Sequence, residues 1–219
     1  MTPGILGAQT VVPAHEEPRH RLVHEGPELR VLDVEIPPGD TTLFHRHDAP
    51  IAYVFISPTP VNSQVLAQNW GSATRDSAPL AGLGHVLFDE TYPTTPVEHR
   101  VTALGHVPFR LIAVLNRGPG QEAGAGGSLG TAGPTEDEGR WFRSTHYTLA
   151  DKATWEWSAH SRPVVIVQVT LGAVSVEPRM ESTLDLRALG DFVVLQPGTQ
   201  ARVRNTGDGP VTFAIVEVR

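Results

Sequence analysis

The stretch Gly190-Asp191-Phe192-Val193-Val194-Leu195-Gln196-Pro197-Gly198-Thr199-Gln200-Ala201-Arg202-Val203-Arg204-Asn205-Thr206-Gly207 decides how the chain is read. An apolar run, Phe192 to Leu195, stops at the turn signal Pro197-Gly198, and a second run follows at once, which is the pattern of two short strands joined by a tight turn. Working outward, Arg202-Val203-x-x-x-Gly207-x-x-Pro210 repeats Arg100-Val101-x-x-x-Gly105-x-x-Pro108 without a gap, and Val216 then falls on Val114. A second ungapped alignment sets Arg143 on Arg30 and Pro163 on Pro50, with the run Val164 to Val169 on the apolar residues after Pro50. Other short runs bounded by turn residues are Leu29 to Ile36, Ile51 to Ile56 (before Ser57-Pro58), Phe109 to Leu115, Trp141 to Leu149, Val164 to Leu171 and Val211 to Val218. Only Leu184 to Ala188 offers a helical turn. The expectation is an all-β chain built from one duplicated unit.

The boundary between the copies is Gly118 to Gly139, GPGQEAGAGGSLGTAGPTEDEG, whose composition buries too little apolar surface to offset its ordering entropy. This predicts a barrel over 1–117, a flexible linker over 118–139 and a second barrel over 140–219. The 21 Gly and 19 Pro of the 219 residues agree with many short strands and turns. A formal net charge of -7 argues against nucleic-acid or anionic-membrane partners and favours small molecules. There is no cysteine, which excludes disulfides and thiolate ligands, so any metal must be held by histidine and carboxylate. Met1 to Val12 lacks a basic segment followed by an apolar one, and no run of about 18 apolar residues occurs, so a cytoplasmic protein is expected.

The chemistry is concentrated in Gly39-Asp40-Thr41-Thr42-Leu43-Phe44-His45-Arg46-His47 and in His99. Residues two apart on a strand share a face, so His45 and His47 aim at one point, and a histidine from a neighbouring strand would complete a metal site. These residues resemble the cupin superfamily, small double-stranded β-helix (jelly-roll) barrels whose first motif is G-x5-H-x-H-x(3,4)-E-x6-G and whose second is G-x5-P-x-G-x2-H-x3-N. Gly39, His45 and His47 match the first motif; His99 stands for the second-motif histidine; Gly190, Gly198 and Asn205 match the second motif in the other half. The chain thus looks like a bicupin. The family glutamate should fall at Ile51 or Ala52, neither of which binds a cation, so the resemblance implies a three-histidine site. In the second half, Ser158 and His160 align with His45 and His47, and Ala201 with His99, implying a barrel that has lost its metal. Phe88, Thr94, Pro96 and Ala103 occupy the remaining second-motif positions of the first half.

Three imidazoles leave part of a coordination sphere open, which suits catalysis. The resemblance implies a divalent transition metal, Fe(II) favoured over Zn, Mn, Ni or Cu, and an oxygenase related to thiol dioxygenases and gentisate-type ring-cleaving dioxygenases, acting on a small organic acid or thiol. The alternative from another class is a non-catalytic bicupin that binds or senses a small molecule, its metal structural or absent. On strand alternation Ala49, Ile51, Tyr53 and Phe55 share the inner face with the histidines. Tyr53 is either a hydrogen-bond donor to substrate or a core tyrosine, and Gln64 and Gln68 are either further pocket ligands or exposed strand glutamines. His15, His20 and His24 read as a solvated face, His85 and His106 as loop residues, His160 as a remnant of duplication and Arg100 as structural. By resemblance the barrels associate into a homodimer through edge strands, unless the two barrels of one chain cover each other.

Overall fold

The computed structural model describes residues 10–57, 59–71, 82–121, 129, 132 and 135–219. The first half runs β1 (Val11–Pro13), a 3-10 turn (Ala14–Glu16), β2 (His20–Glu25), β3 (Leu29–Ile36), β4 (Phe44–His47), β5 (Ile51–Ser57), β6 (Val61–Val65), β7 (Val86–Asp89), β8 (Val97–Ala103) and β9 (Phe109–Asn116). The second half runs β10 (Asp137–Glu138), β11 (Phe142–Leu149), β12 (Thr154–Trp157), β13 (Val164–Gln168), β14 (Val174–Pro178), β15 (Leu184–Leu186), β16 (Phe192–Leu195), β17 (Ala201–Asn205) and β18 (Val211–Val218). Each half pairs a four-stranded with a five-stranded sheet: β1-β4-β8-β6 with β2-β3-β9-β5-β7, and β12-β17-β14-β15 with β10-β11-β18-β13-β16. The expected all-β, two-barrel architecture is what the chain adopts. The helical turn expected at Leu184 to Ala188 is replaced by strand β15, which pairs with β14 through Val174↔Leu186 and Val176↔Leu184.

Three cores hold the molecule together. Leu32, Val34, Ile36, Ile51 and Leu111 fill the first barrel, and Trp155, Trp157, Ile166, Phe213 and Ile215 the second. The third core lies between the barrels, where Val31, Ala52, Val54 and Val114 meet Phe142, Val165, Val167 and Val216. Strands β5, β9, β13 and β18 thus bury both faces, which is why Val164 to Val167 reads as an unbroken apolar run rather than an alternating one. Polar groups also cross this interface: Asn116 Nδ2 donates to the carbonyls of Trp141 and Arg219, and Glu90 accepts the backbone N–H groups of Arg140 and Trp141. Arg110, paired with Asp33, donates to the Leu189 carbonyl.

Strand pairing sets the true correspondence between halves. Phe142 pairs with Val218 as Leu29 pairs with Asn116, and Val164 with Glu217 as Ile51 with Leu115, which confirms the alignment of Arg143 on Arg30. The sharp turn after β3, with Gly39 at φ 74° and Asp40 N donating to Pro37, recurs after β11 with Lys152 at φ 53° and Ala153 N donating to Ala150. Elsewhere loop lengths differ. Trp157 faces Ala201 as His45 faces His99, so Trp157, and not Ser158, occupies the first ligand position of the second barrel, and Ala159, not His160, the second. The β12–β13 connection is one residue longer than its counterpart.

A larger discrepancy lies before β8. Leu195 pairs with Val164 as Asp89 pairs with Ile51, an offset of 106, whereas Ala201 stands on His99, an offset of 102. The first barrel therefore carries four extra residues between β7 and β8. The glycine matching Gly190 is Gly84, not the position of Phe88: both have φ 81°, and their N–H groups donate to Gln168 and Phe55, one alignment step apart. Within the segment expected as a linker, Leu129 and Ala132 are buried in the core of the second barrel and β10 pairs with β11; residues 122–128, 130, 131, 133 and 134 lie outside the described residues.

The shared core predicts that the two barrels unfold as one cooperative unit. Phe142 is fully buried between them, its ring 5.4 Å from that of Phe88. Phe142→Ala is expected to cost about 3–5 kcal/mol, and urea denaturation followed by fluorescence and by circular dichroism should show one coincident transition displaced as a whole rather than two separated ones.

Candidate metal centre

Strands β4 and β8 are antiparallel neighbours with His45 directly opposite His99 and His47 opposite Val97. Alternation turns His45, His47 and His99 into the first barrel and leaves Phe44, Arg46, Glu98 and Arg100 on the other face. The three imidazoles are 1%, 6% and 5% exposed. One ligating nitrogen from each can be chosen so that all lie within 4.8 Å of one another, and the ring centroids stand 4.6–5.0 Å apart, edge-on. Burial, reinforced by the neighbouring imidazoles, pushes His45 and His47 well below the usual histidine range, so both rings are neutral at physiological pH and carry an available lone pair.

A hydrogen bond settles which nitrogen that is in His45. His45 Nδ1 lies 3.0 Å from the Leu43 carbonyl, which can only accept, so Nδ1 carries the proton and Nε2 the lone pair. His99 Nδ1 is anchored 3.0 Å from Ser63 Oγ, which also lies 3.3 Å from the Arg100 carbonyl. This is the outer-sphere anchoring that fixes tautomer and ring orientation in metal-binding histidines. His47 is held by a stack on Tyr92, 4.9 Å between centroids at 26°.

The other expected site residues divide cleanly. Ile51, Tyr53 and Phe55 lie on the inner face of β5 and pack into the first-barrel core, as alternation required. Gln64 and Gln68 do not reach the imidazoles. Gln64 is on the opposite face of β6 from Ser63, its Oε1 accepting from Arg100 and its Nε2 donating to the Gln68 carbonyl, and Gln68 is an exposed turn residue. Arg100 also covers the Phe44 and Trp70 rings, the structural role expected of it.

Three residues at the site escaped the sequence reading. Tyr92 sits in the four-residue excess before β8 and has no counterpart in the second half. His20, read as part of a solvated N-terminal face, and Glu17, which drew no reading, are buried at 6% and 2%. The His20 ring stands 4.5 Å from that of His45, and its Nδ1 donates to the Ala14 carbonyl at 2.8 Å. Glu17 accepts the backbone N–H of Leu43 at 3.0 Å and of Arg19 at 2.6 Å. The N-terminal segment is brought there by β1, which pairs in parallel with β4 through Val12↔His45. A surface cleft of about 510 Å³ lies alongside, lined by Pro18, Arg19, Arg21, Asp33, Glu35, Pro37 and Asp40. None of the histidines lines it, and its arginines are already paired with Asp40 and Asp33.

In the second barrel the corresponding positions are Trp157, Ala159 and Ala201, which offer no ligand. Trp157 is instead part of an aromatic row, stacked on His160 and edge-on to Trp155, which stacks on Tyr147. His160 Nδ1 is 3.1 Å from Glu217, a buried carboxylate also bound by Arg143.

No known family profile and no curated protein matches the sequence. Solved structures do. The chain superposes on AerE from Microcystis aeruginosa with a TM-score of 0.62 at 9% identity, covering 93% of this chain and 98% of that one. It superposes on salicylate 1,2-dioxygenase from Pseudaminobacter salicylatoxidans with a TM-score of 0.56 at 11% identity, covering 88% and 71%. For oxalate decarboxylase the values are 0.52 and 14%, covering 87% and 69%. The fold is that of the cupins, present twice in one chain with a three-histidine cluster in the first barrel.

Glu17 is the keystone of the wall beside that cluster. Glu17→Ala leaves the Leu43 and Arg19 N–H groups without their acceptor and is expected to cost about 2–3 kcal/mol. Glu17→Gln, which keeps one acceptor oxygen but sets its NH2 against the other N–H, should recover only part of that loss in the same denaturant titration.

Proposed function

We propose that the protein is a mononuclear metal-dependent bicupin in which His45, His47 and His99 hold one divalent ion, Fe(II) by preference, for oxygenase chemistry on a small organic acid or thiol. The observation that carries this reading is the trio itself: three buried imidazoles, two of them anchored through Nδ1, each with a ligating nitrogen within 4.8 Å of the others. The donor set suits a borderline divalent transition metal, and no cysteine competes for a softer one. Such an ion would supply Lewis acidity and, as Fe(II), an electron source for dioxygen.

The chain's own residues do the rest. Ser63, the Leu43 carbonyl and Tyr92 hold the rings in orientation. Ile51 and Phe55 present an apolar wall that excludes water and so strengthens every charge interaction inside. On this reading Tyr53, on the same inner face, would donate a phenolic hydrogen bond to a polar substrate atom. The likeness in fold to a salicylate dioxygenase, which has been crystallised with gentisate at 12% identity to this chain, supports the choice of small aromatic acids among the first substrates.

Purified protein loaded anaerobically with Fe(II) should bind about one ion per chain, and should consume oxygen with at least one member of a panel of thiols and hydroxylated aromatic acids. His99→Ala should abolish both. Tyr53→Phe should retain the ion and lower kcat/KM by about 10-fold. Fewer than about 0.1 ions per chain after reconstitution would overturn metal binding, and a full ion content with no turnover on any substrate or metal would leave the non-catalytic binding protein as the correct reading.

A further inference from the structure

The turn Gly82-Leu83-Gly84-His85, just before β7, belongs to the first barrel yet is held by the second. Gly84, at φ 81°, donates its N–H to the Phe55 carbonyl at 2.7 Å, and Phe55 N donates to the His85 carbonyl at 3.0 Å. The turn therefore closes the end of β5, the strand that carries Ile51, Tyr53 and Phe55. A Cβ at Gly84 would stand 3.0 Å from the Val169 side chain, so the turn is pressed directly on the second barrel. The Gly84 carbonyl is then met by His146 of β11, whose Nε2 lies 2.8 Å away. On its other side, His146 Nδ1 lies 2.6 Å from Glu136 Oε2, and Glu136 N is bonded to the Ser144 carbonyl at the entrance to β10.

A carbonyl and an ionised carboxylate only accept, so both bonds form together only when both ring nitrogens carry hydrogen. We infer that His146 is a proton-operated clasp between the barrels. As an imidazolium it fastens the Gly82 to His85 turn and the segment entering β10 to β11, and on losing its proton it must release one of them. The inference is independent of any metal at His45, His47 and His99. Burial by itself lowers the pKa of this ring, but the hydrogen bonds to Glu136 and Gly84 and the charges of Glu136 and Asp137 outweigh it and hold His146 above the ordinary histidine value. Of the other elements packed against it, β18 sets Ala214 opposite, and the turn contributes His85, which is stacked on Phe55 with 6.2 Å between centroids. Because the folded value is the higher one, the clasp contributes fully below about 6.5, the value of a free imidazole, and its contribution is lost as pH rises through the folded value.

The test combines a ring titration with hydrogen exchange. In the intact protein, nuclear magnetic resonance of the His146 ring, assigned through its backbone, should give a midpoint above about 6.5 with both nitrogens protonated below it. Protection of the Gly84 and Phe55 amides should fall about 10-fold as that proton is lost, with the same midpoint as the ring. His146→Gln should show the lower protection throughout, and Glu136→Gln should move the ring midpoint and the protection step down together, which a merely structural contact would not do. A His146 midpoint at or below about 6.5 in the intact protein would overturn the inference, whether or not either variant folds. Protection that does not follow the ring, or that is unchanged in folded His146→Gln, would overturn it as well.

Discussion

The placement of His45 directly across from His99 is the constraint on which the site depends. In an antiparallel ladder, directly opposed residues project to the same side, and alternation repeats that side at His47. A slip of β4 by one residue would turn His45 and His47 outward and bring Arg46 in, leaving His99 alone inside the barrel. The register is held just upstream of β4. Thr42 N donates to the Val101 carbonyl while Thr42 Oγ1 accepts Val101 N, and Gly39 N donates to the Ala103 carbonyl. The turn that Gly39 makes possible thus fixes where β4 begins against β8, which is how a backbone feature six residues away positions His45.

Much of this was legible in the sequence because its cause is local or periodic. Strands buried on both faces write themselves as continuous apolar runs, and the turn signals at Pro37-Pro38-Gly39 and Pro197-Gly198 separate them. The H-x-H spacing needs only strand alternation, and its third member follows from the pairing of one strand. Loop length has no such signature. Ungapped comparison put Ser158 in the place of Trp157 and Phe88 in the place of Gly84, since one inserted residue after β12 and four before β8 leave the flanking runs intact. Tyr92 was invisible for the same reason, lying in the insertion. The burial of His20 was illegible on different grounds: its neighbours Arg19, Arg21 and Glu17 look solvated, and only the parallel pairing of β1 with β4, a contact across more than thirty residues, folds them over the barrel.

The second barrel shows what the fold asks of these positions when chemistry is removed. Trp157 and Ala201 stand where His45 and His99 do, and the space is filled by an aromatic row rather than a polar cluster. Burying polar groups is costly unless each finds a partner, so a barrel without a ligand should revert to apolar packing, and this one has. The first barrel bears the polar cluster while its outer sheet face shares an apolar core with the second. One copy therefore acts as a packing partner for the other, and the duplication relieves the first barrel of having to be stable on its own.

Charge then bears on what the site would recognise. Among the described residues no carboxylate joins the trio, and Glu17, a buried acid beside His20, is offset by Arg19, which is itself held by Asp40. An ion bound by neutral imidazoles alone keeps its full double charge, in contrast to one bound through a glutamate. Inside walls made by Ile51, Phe55 and Leu111 that charge is weakly screened, so its attraction for an anion is far stronger than it would be in water. On the metal reading proposed above, a glutamate at Ile51 or Ala52 would cancel part of that charge, so its absence would favour a negatively charged substrate over a neutral one.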